Sequence, residues 1–184
     1  MRCRSIAPSC WAAGARGRSW HATAMPRLST ASPEFEYDAA DPEGFRAGMF
    51  RFGELLGAKE TGCSIYELPP GQAICPYHYE YGDEEWLLVL EGRPTLRTPD
   101  GEEEIGPSEI VFFPTGPAGA HSVRNKTDAT ARVLMFSTRR NPAIAVYPDS
   151  DKIGMFTGNQ DADIMVRRTS GVGYYDGETG LEPN

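Results

Sequence analysis

The chain has 184 residues, 40% of them hydrophobic and 24% charged, which fits one globular domain with some ornament and a core of respectable size. Its formal net charge is -8, which argues against nucleic acid or an anionic membrane surface as a partner, because like charges repel. No stretch approaches the roughly 20 apolar residues that a bilayer-spanning helix needs, so the expectation is a soluble protein.

Residues 1–33 differ from all that follows. They contain Arg2, Arg4, Arg16, Arg18 and Arg27, with no lysine and no acid. An Arg-rich, Ser-rich, acid-free start fits an organellar transit peptide. It also fits a disordered leader, or an upstream extension of a chain that starts at Met25, and the extension or disorder is preferred. Residues 34–61 form an N-terminal arm. There Asp41-Pro42-Glu43 suits a helix start, with Phe45, Met49, Phe52 and Leu56 at helical spacing. Gly48, Gly53 and Gly57 weaken that helix, and a strand through 49–52 fits equally.

From Gly62 onward the chain reads as strand after strand. The expected segments are 62–68, 72–75 after Pro69-Pro70-Gly71, 84–91 with its apolar run 86–90, and 95–98 paired with 102–105. That pair is hinged at Pro99-Asp100-Gly101. Further segments are 110–113, 122–125, 132–137 and 143–147, before a polar, Gly-rich tail over 149–184. Seven or eight short strands spaced near ten residues predict an all-β sandwich or barrel over 62–148. Cys63 and Cys75 lie within strand-like segments and read as reduced, small hydrophobes. Cys3 and Cys10 fall in the leader, and a reducing cytoplasm is the simplest compartment.

Two of the three histidines lie in strand country. His78 and Glu80 are two residues apart, so on a strand both side chains face one way. Glu84 and Glu85 lead straight into the apolar run, which is odd for acids unless one has a partner indoors. His121 opens a strand after the loop Pro114–Ala120. Two imidazoles and two carboxylates converging from three strands suit one divalent ion, Mn²⁺, Fe²⁺, Ni²⁺ or Zn²⁺. The two carboxylates tilt the choice to Mn²⁺ or Fe²⁺. Against this, a lone strand histidine is more often structural, and an acidic run is usually a solvated face.

Two motifs sharpen the choice. Gly71-x6-His78-x-Glu80-x4-Glu85-x6-Gly92 resembles the first cupin motif, and Gly106-x7-Pro114-x-Gly116-x4-His121-x3-Asn125 resembles the second. The likeness spans about Gly62 to Ser137. It implies a double-stranded β-helix, the jelly-roll or cupin barrel, with an irregular leader before it and a polar tail packed on it. By this likeness His78, Glu85 and His121 stand at metal-ligand positions. Glu80 replaces the usual second histidine of His-x-His, and the first spacing is one residue long. Glu84 is the alternative to Glu85, whose six-residue step to Gly92 fits better.

Tyr66, Gln72, Tyr77 and Arg124 are candidates for the substrate pocket, with core filling and surface pairing as their ordinary alternatives. Asn125 is expected to brace the loop before His121. The functional expectation is a metal-dependent protein acting on a small organic molecule, leaning towards a non-haem iron or manganese oxygenase. A sugar isomerase or epimerase, or a non-catalytic binder of a sugar-like ligand, are the alternatives. Open barrel edges, and the dimers common in the family, predict a homodimer.

Overall fold

The computed structural model describes residues 25–180. Readings of the first 24 residues as leader or targeting segment lie outside them. Among the described residues, no helix is long and apolar enough to cross a membrane.

No helix starts at Asp41-Pro42-Glu43, where the backbone is irregular, and the arm takes a short strand instead. Strand β1 (Gly48–Phe50) runs into a single helical turn, α1 (Phe52–Leu55). Gly53 is what lets that turn lie flat on the barrel, since a Cβ there would come within 2.9 Å of the Cys63 backbone nitrogen. Then follow β2 (Thr61–Leu68), β3 (Tyr79–Tyr81), β4 (Glu85–Glu91), β5 (Thr95–Thr98), β6 (Gly101–Glu104) and β7 (Ile110–Phe113). The remaining strands are β8 (Ser122–Arg124), β9 (Ala131–Thr138), β10 (Ala143–Tyr147), β11 (Lys152–Phe156) and β12 (Ile164–Arg167).

These strands form an all-β jelly roll. One sheet has the order β1-β2-β9-β4-β7, a second β12-β11-β10-β3, and a third β6-β5-β8. The second and third are joined by one antiparallel bridge, His78↔His121. In effect two layers face each other, and the bridge lies in the middle of one.

Period-two alternation sends one row of each strand inwards. Tyr66 and Leu68 of β2, Leu87 and Val89 of β4, Phe113 of β7, Leu96 of β5, Val123 of β8, and Val133 and Met135 of β9 make the main apolar cluster. The outward row of β4 is apolar too. Trp86 packs against Phe112 at 4.6 Å and stacks on Phe136 at 5.8 Å between ring centroids. β4 therefore reads as a continuous apolar run rather than an alternating one.

The hairpin formed where expected, with Thr98 paired to Gly101 across a two-residue turn. Two other expectations differ. Residues 72–75 are not a strand but contribute a single bridge, Ala73↔Arg124. The tail, read as polar and Gly-rich beyond the last strand, adds strands β11 and β12 to the sheet. Lys152-Ile153-Gly154-Met155-Phe156 is too short and too interrupted to stand out by pattern, but β10 offers it a full five-residue ladder.

Candidate metal centre

The two histidines meet because the backbone pairs them. His78 N–H donates to the His121 carbonyl at 3.0 Å, and His121 N–H donates back to the His78 carbonyl at 2.8 Å. Residues directly opposite in such a pair point to the same face, so the imidazoles lie side by side, 4.8 Å between ring centroids. Glu85 comes from the facing layer. It begins the inward row Glu85-Leu87-Val89 and is cross-strand neighbour to Phe113 and Ser137. Phe113 stacks flat on the His121 ring at 3.6 Å, which sets the two layers in register at this point.

The outcome is a compact set. Glu85 Oε2 lies 3.8 Å from His78 Nε2 and 3.5 Å from His121 Nε2. One ligand atom from each of His78, Glu85 and His121 lies within 4.8 Å of the others, and all three residues are buried. Each imidazole is turned by a backbone carbonyl. His78 Nδ1 is 3.0 Å from the Pro76 carbonyl oxygen, and His121 Nδ1 is 2.9 Å from that of Gly119. A carbonyl only accepts, so Nδ1 carries the proton and Nε2 presents a lone pair towards Glu85. Burial, followed by the neighbouring His78, lowers the His121 pKa to about 4, which keeps that lone pair available at neutral pH.

Glu85 Oε1 and His121 Nε2 are buried with no hydrogen-bond partner among the described residues. Orphaned buried polar atoms are costly, and a divalent cation satisfies both at once. Ligand atoms about 2.1 Å from an ion at tetrahedral angles are about 3.4 Å apart, close to the 3.5 and 3.8 Å observed. The residues fit a metal.

Glu80 lies on the same side of β3 as His78, opposite Ala145 of β10. It is buried, with Oε2 lacking a hydrogen-bond partner among the described residues. It stands outside the tight triad. Burial first, then the Glu85 charge, raises its carboxyl pKa to about 7. Glu84 is exposed and Glu85 buried, so the register that favoured Glu85 is the one adopted.

The four pocket candidates are dispersed. Tyr66 faces the interior within the main apolar cluster. Gln72 Oε1 accepts the backbone N–H groups of Gly44 and Arg46 at 3.0 and 2.9 Å, pinning the arm. Arg124 donates to the Gly71 carbonyl at 2.6 Å and lies over Phe45. Tyr77 lies under Arg97, whose guanidinium is 3.9 Å from the ring centroid. Asn125 differs from expectation. Its amide donates to the carbonyls of Leu68 and Ala129, and its oxygen accepts from Thr127, so it braces the turn after β8 rather than the loop before His121.

Sequence reasoning missed Gly119, Phe113 and Tyr147. A Cβ on Gly119 would fall 1.8 Å from the Pro114 carbonyl oxygen, so only glycine lets loop 114–120 fold back and aim its carbonyl at His121. Tyr147 stacks on His78 at 5.8 Å between ring centroids. The small, tightly spaced Gly116-Pro117-Ala118-Gly119 was the available signal.

Residues 64–137 match the Cupin domain family. No curated protein matches the sequence. Among solved structures the chain is similar to a sugar phosphate isomerase of the cupin superfamily from Silicibacter pomeroyi, at 26% identity and a TM-score of 0.70. That likeness covers 82% of this chain and 98% of the other. A structure from Acidithiobacillus ferrooxidans, 22% identical with a TM-score of 0.70, covers 81% and 96% and shows the shared fold. The polyketide cyclase RemF from Streptomyces resistomycificus, 26% identical with a TM-score of 0.54, covers 65% and 84%.

Proposed function

Since the chain belongs to the cupin superfamily, with its cupin domain over residues 64–137, we propose that it holds one divalent ion on His78, Glu85 and His121 and isomerises a phosphorylated sugar there. The observation that carries this reading is the buried triad with a second buried carboxylate, Glu80, on the same strand face as His78. The Silicibacter pomeroyi isomerase, similar over nearly its whole length, supports the substrate class.

A bound ion supplies Lewis-acid polarisation of a substrate carbonyl. The chain's own groups do the rest. The carbonyls of Pro76 and Gly119 hold both imidazoles as neutral Nδ1–H tautomers. Phe113 and Tyr147 flank those rings and exclude water on two sides. The Glu80 carboxylate takes a proton from the carbon next to the carbonyl and returns it to the former carbonyl carbon, while the hydroxyl proton passes between the two adjacent oxygens. A base that gives back the same proton must be shielded from solvent, and Glu80 is buried.

A second reading rests on the donor set. Two histidines and one carboxylate with open positions also suit a non-haem Fe(II) oxygenase. An oxygen electrode run beside an anaerobic isomerisation assay, on protein loaded with Fe²⁺ or Mn²⁺, separates them. Interconversion of an aldose phosphate and a ketose phosphate without oxygen uptake is expected. Oxygen uptake matched to product would select the oxygenase, and neither activity on any metal would leave a binding module.

The same reading takes the protein as a homodimer. β7 ends its sheet, and its outward Ile110 and Phe112 are 59% and 41% exposed beside Trp86. A second copy of that edge would cover both.

A further inference from the structure

Strand register carries one row of side chains away from the metal centre. His121 pairs with His78, and the His78 ring stacks on Tyr147. Tyr147 pairs with Lys152, and Lys152 with Arg167. Directly paired residues share a face, so the row His121, His78, Tyr147, Lys152, Arg167 lies on one side of the sheet. Lys152 Nζ sits 5.3 Å from the Tyr147 ring centroid. Beyond Glu80, the parallel row of Ala145, Gly154 and Met165 is apolar, and Met165 and Phe156 close over Gly154. The polar path leading from the imidazoles is therefore the one that ends in an ammonium and a guanidinium.

Four other cations of the barrel are committed to acids, Arg97 to Asp149, Arg132 to Glu67, Lys126 to Glu102 and Arg93 to Glu104, and Arg124 is spent on the Gly71 carbonyl. Lys152 and Arg167 enter no ion pair among the described residues. Arg167 spends one N–H on the Ser150 carbonyl at 2.9 Å, and the neighbouring Asp149 is held bidentately by Arg97. With strands about 4.8 Å apart, Lys152 is two strands and about 10 Å from His78 at the backbone. That is the length scale of a five- or six-carbon sugar carrying a terminal phosphate.

We propose that Lys152 and Arg167 form an anion subsite that takes the phosphate of a substrate whose other end lies at His78, Glu85 and His121. This rests on the isomerase reading for the identity of the substrate, but the subsite itself is testable without turnover. A lysine contributes a point charge and an arginine a planar fork of donors, and both suit a phosphate dianion.

The test is calorimetric titration of the full chain with inorganic phosphate, and separately with ribose 5-phosphate and ribose. Phosphate and ribose 5-phosphate should bind the wild type, and ribose should bind at least tenfold more weakly than its phosphate. Lys152→Met, which keeps the stem over Tyr147, should weaken phosphate binding about tenfold. The double variant with Arg167→Gln should abolish it, while Lys152→Arg retains it. Equal phosphate affinity in wild type and the folded double variant, or no preference for ribose 5-phosphate over ribose, would overturn the subsite. Phosphate binding that needs Lys152 in a protein without isomerase activity would keep the subsite and refute the isomerase reading.

Discussion

Glu85→Gln is the sharpest perturbation of the metal centre. It keeps the shape of the side chain and removes the only anion of the triad, whose Oε2 lies 3.5 and 3.8 Å from the two imidazole nitrogens. An ion bound only to the folded state stabilises it by about 2.7 kcal/mol at a hundred times its dissociation constant. For a domain of this size each kcal/mol is about 2–4 °C, so the wild type should melt about 5–11 °C higher with the ion than after chelation. Loss of an outer partner of a metal ligand costs about 10–100-fold in affinity, and loss of the one anionic ligand should cost about a thousandfold or more. At the same concentration the ion then contributes about 0.1 kcal/mol, less than a degree. The assay is differential scanning fluorimetry of chelator-treated wild type and variant, titrated with Mn²⁺, Fe²⁺, Ni²⁺ and Zn²⁺. Without metal the two proteins should melt within a few degrees of one another. An equal metal-induced rise in both, or none in the wild type with any of the four ions, would refute the triad.

Glu80→Gln should keep the metal-induced rise and lower isomerisation about 10²–10⁴-fold; loss of bound metal per chain, measured by elemental analysis, would instead make Glu80 a fourth ligand. Gly119→Ala places a methyl against the Pro114 carbonyl and should cost more than about 2 kcal/mol in denaturant unfolding, while releasing His121 Nδ1 and erasing the thermal shift. Burial alone would raise the Glu67 carboxyl, but hydrogen bonds from Tyr37 and Arg132 and the guanidinium charge outweigh it and hold the pKa below the ordinary carboxylate value. A lowered folded pKa gives stability that is complete above the unfolded value of about 4.3 and is lost as pH falls through the lower folded value. Glu67→Gln should therefore melt below wild type at pH 7, by about 1 kcal/mol, and converge with it in acid. Phe112→Asp combined with Ile110→Asp should convert a dimer to a monomer in light scattering; a wild type already monomeric at micromolar concentration would refute that edge as an interface.

The barrel and its triad were legible in the sequence for local reasons. The hairpin about Pro99-Asp100-Gly101, the run Trp86–Leu90 and the pair His78/Glu80 are short-range patterns; alternation puts His78 and Glu80 on one face, and the six-residue step to Gly92 selects Glu85 over Glu84. What was not legible depends on long-range pairing. No local pattern shows that β10 templates a strand from Lys152–Phe156, or that Tyr147 then lands beside His78. Gln72 and Arg124 looked like ligand contacts because polar side chains near a motif carry no record of which backbone they serve. Here Gln72 serves the arm, through Gly44 and Arg46, and Arg124 serves the loop after β2, through Gly71. Asn125 is the same case, its partners being the carbonyls of Leu68 and Ala129.

The triad lies at the ends of inward rows whose other members are core. Glu85 shares its row with Leu87 and Val89, and His121 with Val123, while Ser137, the cross-strand partner of Glu85, shares its row with Val133 and Met135. The same alternation that buries the apolar cluster therefore aims the ligands, and a register slip that exposed one would expose the other. The site's rigidity then comes from the barrel rather than from its own contacts. Glu85 Oε1 and His121 Nε2 hydrogen-bond to nothing described, yet Phe113 and the antiparallel bridge hold their side chains in place. The fold thus accepts unsatisfied buried polar atoms at one end of a close-packed core, in a group whose spacing could hold an ion.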